Sequence, residues 1–454
     1  MARTQLFLAS TLYGAATLAA ALDAAALPAA DRRVLVTSNN ASVPETHPGL
    51  EHAPGFQALR HRFDRVVSWN EAIHPLHPGG WSPRADEVPM WERFLRMLWD
   101  LGDDDVELVV ESIQVAPALS FVQVFTGAPI SVYADGLMSY GPTRNKLGLL
   151  VDTRIDRLLH LDLVPGLRPL LLSEHGVPPA VVPTEEFTKV LAEVAEASAD
   201  AGGDSLADVP QGAALLLGQY LSALGILTVA EEEELHLDMV RGAAVLGHRD
   251  IVFKPHPTAP AHWTEPLVRE AGRLGSRLTV LNTPVLAEAV YLKSRPALVV
   301  GCFSTALLTA SALYGIPVAR TGTELLLERL SPYQNSNRIP VTIVHAALPD
   351  VSDTAAVRAW RPPTAEQVAA GLTPLVRTVG YCMQAKAYPH LRDEAAAWLS
   401  ARLTPDTWPY FKRRRLTSLG LPGAVPARLA FVPRNRTVRR VARRARAFKK
   451  AALG

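Results

Sequence analysis

The chain has 454 residues, 48% of them hydrophobic and 20% charged, which suits about two or three domains with large cores and excludes a disordered or collagen-like polymer. Its two cysteines, Cys302 and Cys382, exclude a disulfide framework or a cysteine-ligated structural zinc. The net charge of +2 hides an asymmetry: from Lys412 onward there are 14 Lys/Arg and no Asp/Glu, which leaves 32 basic against 44 acidic residues before it.

The first residues, Met1-Ala2-Arg3 and then Leu6–Ala9, resemble a signal peptide. The apolar run is broken by Ser10-Thr11 and Tyr13-Gly14, however, and reads better as a strand (Gln5–Ala9), a loop (Ser10–Gly14) and a helix (Ala15–Ala26). No other run is long and apolar enough for a transmembrane helix. Strands are expected at Arg33–Thr37, Arg65–Trp69, Val106–Glu111 and Ile130–Tyr133, with loops at Pro165-Gly166 and Pro178-Pro179 and a helix over Thr184–Ala197. The polar stretch Ser198–Gln211 marks a domain boundary. Beyond it the alternation resumes, with strands at Ala213–Leu217, Ile251–Phe253, Leu278–Leu281, Leu298–Gly301 and Pro317–Arg320. Strands alternating with helices predict parallel sheets, hence two successive Rossmann-like domains (1–205 and 206–405) facing each other across a cleft. The last helices of the second are expected to pack back on the first, and residues 406–454 to form a basic tail.

Three loops carry candidate chemistry, each directly after an expected strand. Asp135-Gly136 places a carboxylate at a strand end beside a residue that allows close approach, although alone it is also an ordinary turn signal. His256 stands between Pro255 and Pro257 in Lys254-Pro255-His256-Pro257, where the prolines restrict the backbone and aim the imidazole. Ser304-Thr305 opens an apolar helix over Ala306–Tyr314, whose free N–H groups and dipole suit a phosphate, or simply cap the helix. No phosphate-cradling GxxxxGK[ST] loop, HExxH or other metal cluster is found in the sequence.

Taken in order, these loops resemble the motifs of bacterial sialyltransferases, most closely the bacterial α-2,8-polysialyltransferase family. Asp135-Gly136 matches the second acidic position and the glycine of its acidic-acidic-glycine motif, His256-Pro257 its HP motif, and Ser304-Thr305 its serine motif. Gln5–Gly14 resembles the opening strand and acceptor-side loop, Gly218-Gln219 the turn that begins the nucleotide domain, Pro284 and Glu288 the nucleotide-contacting segment, and Tyr333–Pro340 a further family segment. The likeness spans about residues 4–345 and departs from the pattern at Ala134, where the family has its first acid.

The resemblance implies a GT-B-type inverting transferase, with no metal or cofactor, moving sialic acid or a related nonulosonic acid from a CMP donor to a glycan or lipid-linked glycan. Asp135 is then the general base, His256 stabilises or protonates the leaving phosphate, and Ser304 and Thr305 hold it. Gly218, Gln219, Lys254, Pro257, Pro284 and Glu288 fall on the donor side. Ser10, Thr11, Asn39, Asn40, Gly136 and Arg144 fall on the acceptor side. The second-domain motifs also resemble CDP-glycerol-dependent teichoic acid polymerases, and the loss of the acid at 134 leaves an inactive paralogue open. In the tail, the basic residues of Val438–Ala451 alternate with apolar ones as on a helix lying against an anionic membrane. A cytoplasmic protein on the inner face of the cell membrane is the corresponding expectation, with no nucleic-acid partner.

Overall fold

The computed structural model describes residues 1–198, 206, 209–256, 259 and 264–425. Seven strands, β1 (Arg3–Ala9), β2 (Arg32–Thr37), β3 (Arg65–Ser68), β4 (Asp105–Glu111), β5 (Ile130–Ala134), β6 (Ile155–Leu161) and β7 (Pro179–Val182), form one sheet in the order β3-β2-β1-β4-β5-β6-β7. Five more, β8 (Ala214–Leu217), β9 (Asp250–Lys254), β10 (Arg277–Val280), β11 (Leu298–Gly301) and β12 (Val318–Arg320), form a second in the order β10-β9-β8-β11-β12. Every pairing is parallel. Sheets covered on both faces need apolar side chains on both, which is why strands such as β8 and β11 are continuous aliphatic runs. Along β1 the side chains alternate between two apolar layers: Leu6 and Leu8 join Val34, Val36 and Val110, whereas Phe7 and Ala9 join Leu35 and Val109.

The direction in which successive strands are added to the sheet reverses between β1 and β4 in the first sheet and between β8 and β11 in the second. The carboxyl ends of strands at such switch points border the crevice where open α/β sheets take ligands. At the amino end, Thr11 accepts the Gly14 N–H at 2.9 Å and so caps a helix running Leu12–Asp23, three residues ahead of the expected start. Pro179, read from the sequence as loop, opens β7 instead. This is the last strand of its sheet, where a residue lacking an N–H is tolerated.

The helix Thr184–Ala197 joins the two halves, packing on Leu12–Asp23 of the first and on the helix Ala287–Ser294 of the second. Its apolar stripe of Phe187, Val190, Leu191 and Val194 is buried. The C-terminal helices return to the first sheet's side. The Tyr388 hydroxyl accepts the Thr143 N–H at 3.1 Å and lies 2.5 Å from Glu174 Oε2, and Gln384 donates to the Arg144 carbonyl at 2.7 Å. Chain beyond residue 405 continues on this body. Phe411 and Leu416 are buried, Arg415 donates to the carbonyls of Cys382 and Met383, and the Arg413 guanidinium lies 5.0 Å from the Trp408 ring centroid. The basic run Val438–Ala451 lies outside the described residues. No helix among the described residues is long and apolar enough to cross a membrane.

Candidate active site

A cleft of about 340 Å³ opens between the two sheets, lined from the first by Tyr13, Asp135 and Gly136 and from the second by Gly218, Lys254, His256, Pro284, Glu288, Ser304 and Thr305. Asp135 follows β5, His256 follows β9 and Ser304 follows β11, so topology alone converges residues far apart in sequence. The halves approach closely here. The Thr305 hydroxyl is 3.5 Å from the Leu137 N–H, and a Cβ on Gly136 would come within 3.1 Å of the same oxygen.

Asp135 sits against the first turn of the helix Leu12–Asp23, where a Cβ on Gly14 would approach its Oδ2 to 3.3 Å. Burial, and after it the neighbouring Glu111 carboxylate, push Asp135 up to about 7. Glu111 ends β4, one strand from Asp135, and its Oε2 accepts a 2.6 Å hydrogen bond from Ser10 at the end of β1. Its pKa is raised too, by burial and against the pull of Ser10.

On the facing side, the Ser304 hydroxyl accepts the Ala306 N–H at 3.2 Å and caps the ten-residue helix Thr305–Tyr314. The positive end of that helix is thereby turned to the cleft. Lys254 is buried beside Glu288, with burial lowering its pKa and Glu288 opposing that. The Glu288 carboxyl is raised by burial, and its Oε1 accepts from Thr309 at 2.6 Å. His256 has its pKa lowered by partial burial and by Lys254, with Glu232 acting the other way. Gly218 admits no side chain, because a Cβ would come within 2.7 Å of the Phe253 ring and 3.2 Å of Pro255 Cα.

Other sequence-predicted residues lie elsewhere. Gln219 lines no part of the cleft; its side chain accepts the Phe303 N–H at 3.3 Å, tying the loop after β8 to the one after β11. Ser10 is bound to Glu111 and Thr11 caps its helix. Asn39 spends both side-chain groups on its own loop, and Asn40 accepts from Ser38. Asn39 borders a separate, larger cavity of about 670 Å³ beyond the ends of β2 and β3. Arg144 is held through its backbone by Gln114 and Gln384, away from the cleft lining. Pro257 lies outside the described residues.

Four contributors escaped the sequence reading. Glu111 is a strand-end acid like Asp135, and that position was its signal. Tyr13 gave none. Glu232 and His236 lie four apart on the helix Val229–Val245, hidden in a run of acids. Glu232 accepts the Leu221 and Ser222 N–H groups at 2.6 and 2.9 Å, and His236 Nε2 accepts that of Gln219 at 3.4 Å. Burial pushes His236 down to about 4, leaving that nitrogen an acceptor.

Two parallel α/β domains facing across a cleft give the chain a GT-B-type architecture. The chain belongs to the alpha-2,8-polysialyltransferase family, whose sequence model matches residues 5–323. No curated protein matches it. Similar solved structures include MurG of Acinetobacter baumannii (11% identity, 86% of this chain and 95% of that one, TM-score 0.38). A UDP-GlcNAc 2-epimerase of Methanocaldococcus jannaschii also overlaps (12%, 82% and 99%, TM-score 0.45). So does the E. coli heptosyltransferase WaaC with ADP-2-deoxy-2-fluoro heptose (15%, 70% and 88%, TM-score 0.35). These overlaps are loose and concern overall shape only.

Proposed function

We propose that the protein transfers sialic acid, or a related nonulosonic acid, with inversion from a CMP-activated donor to a glycan or lipid-linked glycan of the bacterial surface or capsule. The observation that carries this reading is the convergence of Asp135 with His256, Ser304 and Thr305 in one cleft contributed by both sheets. Family membership supports the class of sugar.

In this mechanism Asp135 takes the proton of the acceptor hydroxyl as that oxygen attacks the anomeric carbon. The bond to the CMP phosphate breaks on the opposite face, which inverts the centre. The departing phosphate is met by His256, Lys254 and the amino end of the helix Thr305–Tyr314, so the charge it gains is balanced without a metal. Glu288 and Pro284 wall the nucleotide side. We place the enzyme at the inner face of the cell membrane, with its terminal basic segment on the anionic surface and no nucleic acid as partner.

The test is CMP release from CMP-N-acetylneuraminic acid with and without an oligosaccharide acceptor, with CDP-glycerol as the contrasting donor. Asp135→Ala should abolish transfer and leave CMP affinity within about twofold, while His256→Ala should slow turnover by about 10²-fold or more. The pair Ser304→Ala with Thr305→Ala should chiefly weaken donor binding. Turnover only with CDP-glycerol, or a tenth of wild-type rate remaining in Asp135→Ala, would sink the assignment.

A further inference from the structure

Tyr13 reaches into the cleft from the first turn of the helix Leu12–Asp23. Its ring is set edge-on against Phe187, with centroids 5.3 Å apart, and Phe187 is wholly buried. Its hydroxyl is closed off from solvent and has no hydrogen-bond partner among the described residues. Buried phenols nearly always find a partner, so one left open beside a ligand cleft calls for a partner on the ligand. Glu288 and Asp135 are the carboxylates that act on it. Burial and these two charges raise its pKa well above the ordinary value, so it keeps its proton and remains a donor.

We propose that Tyr13 is a sugar-contacting residue whose hydroxyl donates a hydrogen bond to the carboxylate of the transferred sugar. The inference rests on the donor assigned above, because a nonulosonic acid bears a carboxylate on its anomeric carbon. That carbon has to lie between Asp135, which serves the attacking hydroxyl, and the phosphate at His256 and Ser304. The turn that carries Tyr13 lies against Asp135 at this end of the cleft, where a Gly14 Cβ would approach Asp135 Oδ2 to 3.3 Å. A carboxylate arriving there meets two protein carboxylates and needs a donor in compensation. An arginine would bind it, but would also pair with Asp135 and hold that base in its weak, acidic range. A phenol donates without adding charge, so recognition and basicity are kept apart.

The experiment compares the affinities of CMP and CMP-N-acetylneuraminic acid for wild type and Tyr13→Phe, without acceptor, alongside thermal unfolding. Wild type should bind the sugar nucleotide more tightly than CMP. Tyr13→Phe should hold CMP within about twofold and lose roughly tenfold or more for the sugar nucleotide, the cost of one bond to a charged group. Its unfolding temperature should be equal or higher, since the lost hydroxyl made no bond in the fold. A wild-type preference retained by Tyr13→Phe, an equal loss for both ligands, or a marked fall in stability would overturn the role of Tyr13 alone. A wild type that binds CMP but gains nothing from the sugar would overturn the donor reading, and this inference with it.

Discussion

Asp135 must be ionised to accept a proton, yet its surroundings oppose ionisation: it is buried, and Glu111 on the next strand carries the same charge. The two effects raise its pKa to about 7, so the base form is lost as pH falls through neutrality and gained as it rises. Transfer rates with saturating donor should therefore climb between about pH 6 and 8. Glu111→Gln removes the like charge and keeps an oxygen that can accept from Ser10. The acidic limb should move to lower pH, and a limb that stays in place would assign it to another group. The departure at Ala134 has a physical reason in this chain. Ala134 is 3% exposed and packs in the apolar layer that holds Leu8, Val110 and Val132, where a carboxylate would be desolvated, with His160 of β6 beside it in register. Glu111 stands on the opposite face of the sheet from Val110 and supplies a second carboxylate near Asp135 by another route.

At the level of elements, the loop after β8 owes its shape to the helix Val229–Val245. Glu232 is fully buried and bonds two successive backbone N–H groups, while His236 holds a third. Glu232→Ala strands both donors and should cost about 2–4 kcal/mol in denaturant unfolding. It should also weaken CMP binding several-fold, because Gly218 belongs to the same loop; unchanged affinity would detach that loop from the nucleotide. Elements of this kind were unequally legible in the sequence. Strands buried on both faces read as aliphatic runs, and the loops directly after them bear Asp135, His256 and Ser304. β6 was obscured by Asp156-Arg157 near its start, and β7 by its opening proline. Nor does sequence disclose that Ser10 and Glu111 meet across 101 residues, because their contact depends on β1 lying beside β4. Asn39 and Asn40 looked available for a ligand because polar side chains in loops usually are, whereas their side-chain hydrogen bonds hold the loop itself; Arg144 is fixed through its backbone, away from the cleft lining.

Across the whole molecule, charge is segregated along the chain. The body is acidic, and ten Lys/Arg with no Asp/Glu follow residue 425. Near an anionic bilayer each such residue contributes about 1 kcal/mol, enough in sum to hold a peripheral protein at low salt. A cut at residue 411 would look natural from the charge pattern, but it removes Leu416 and Leu421, which are 0% and 3% exposed, and the Arg415 bonds to the helix Thr373–Met383. That truncation should unfold at lower temperature and lose activity for reasons unrelated to membranes. A cut after Val425 leaves these contacts whole. Residues 1–425 should match full-length protein in unfolding temperature and in transfer to free oligosaccharides, yet lose sedimentation with vesicles containing phosphatidylserine. Full-length binding should fall steeply as salt shortens the screening length below about 10 Å. If residues 1–425 sediment as well as the full chain at low salt, the terminal segment is not the attachment, and the contact has to be sought on the folded body.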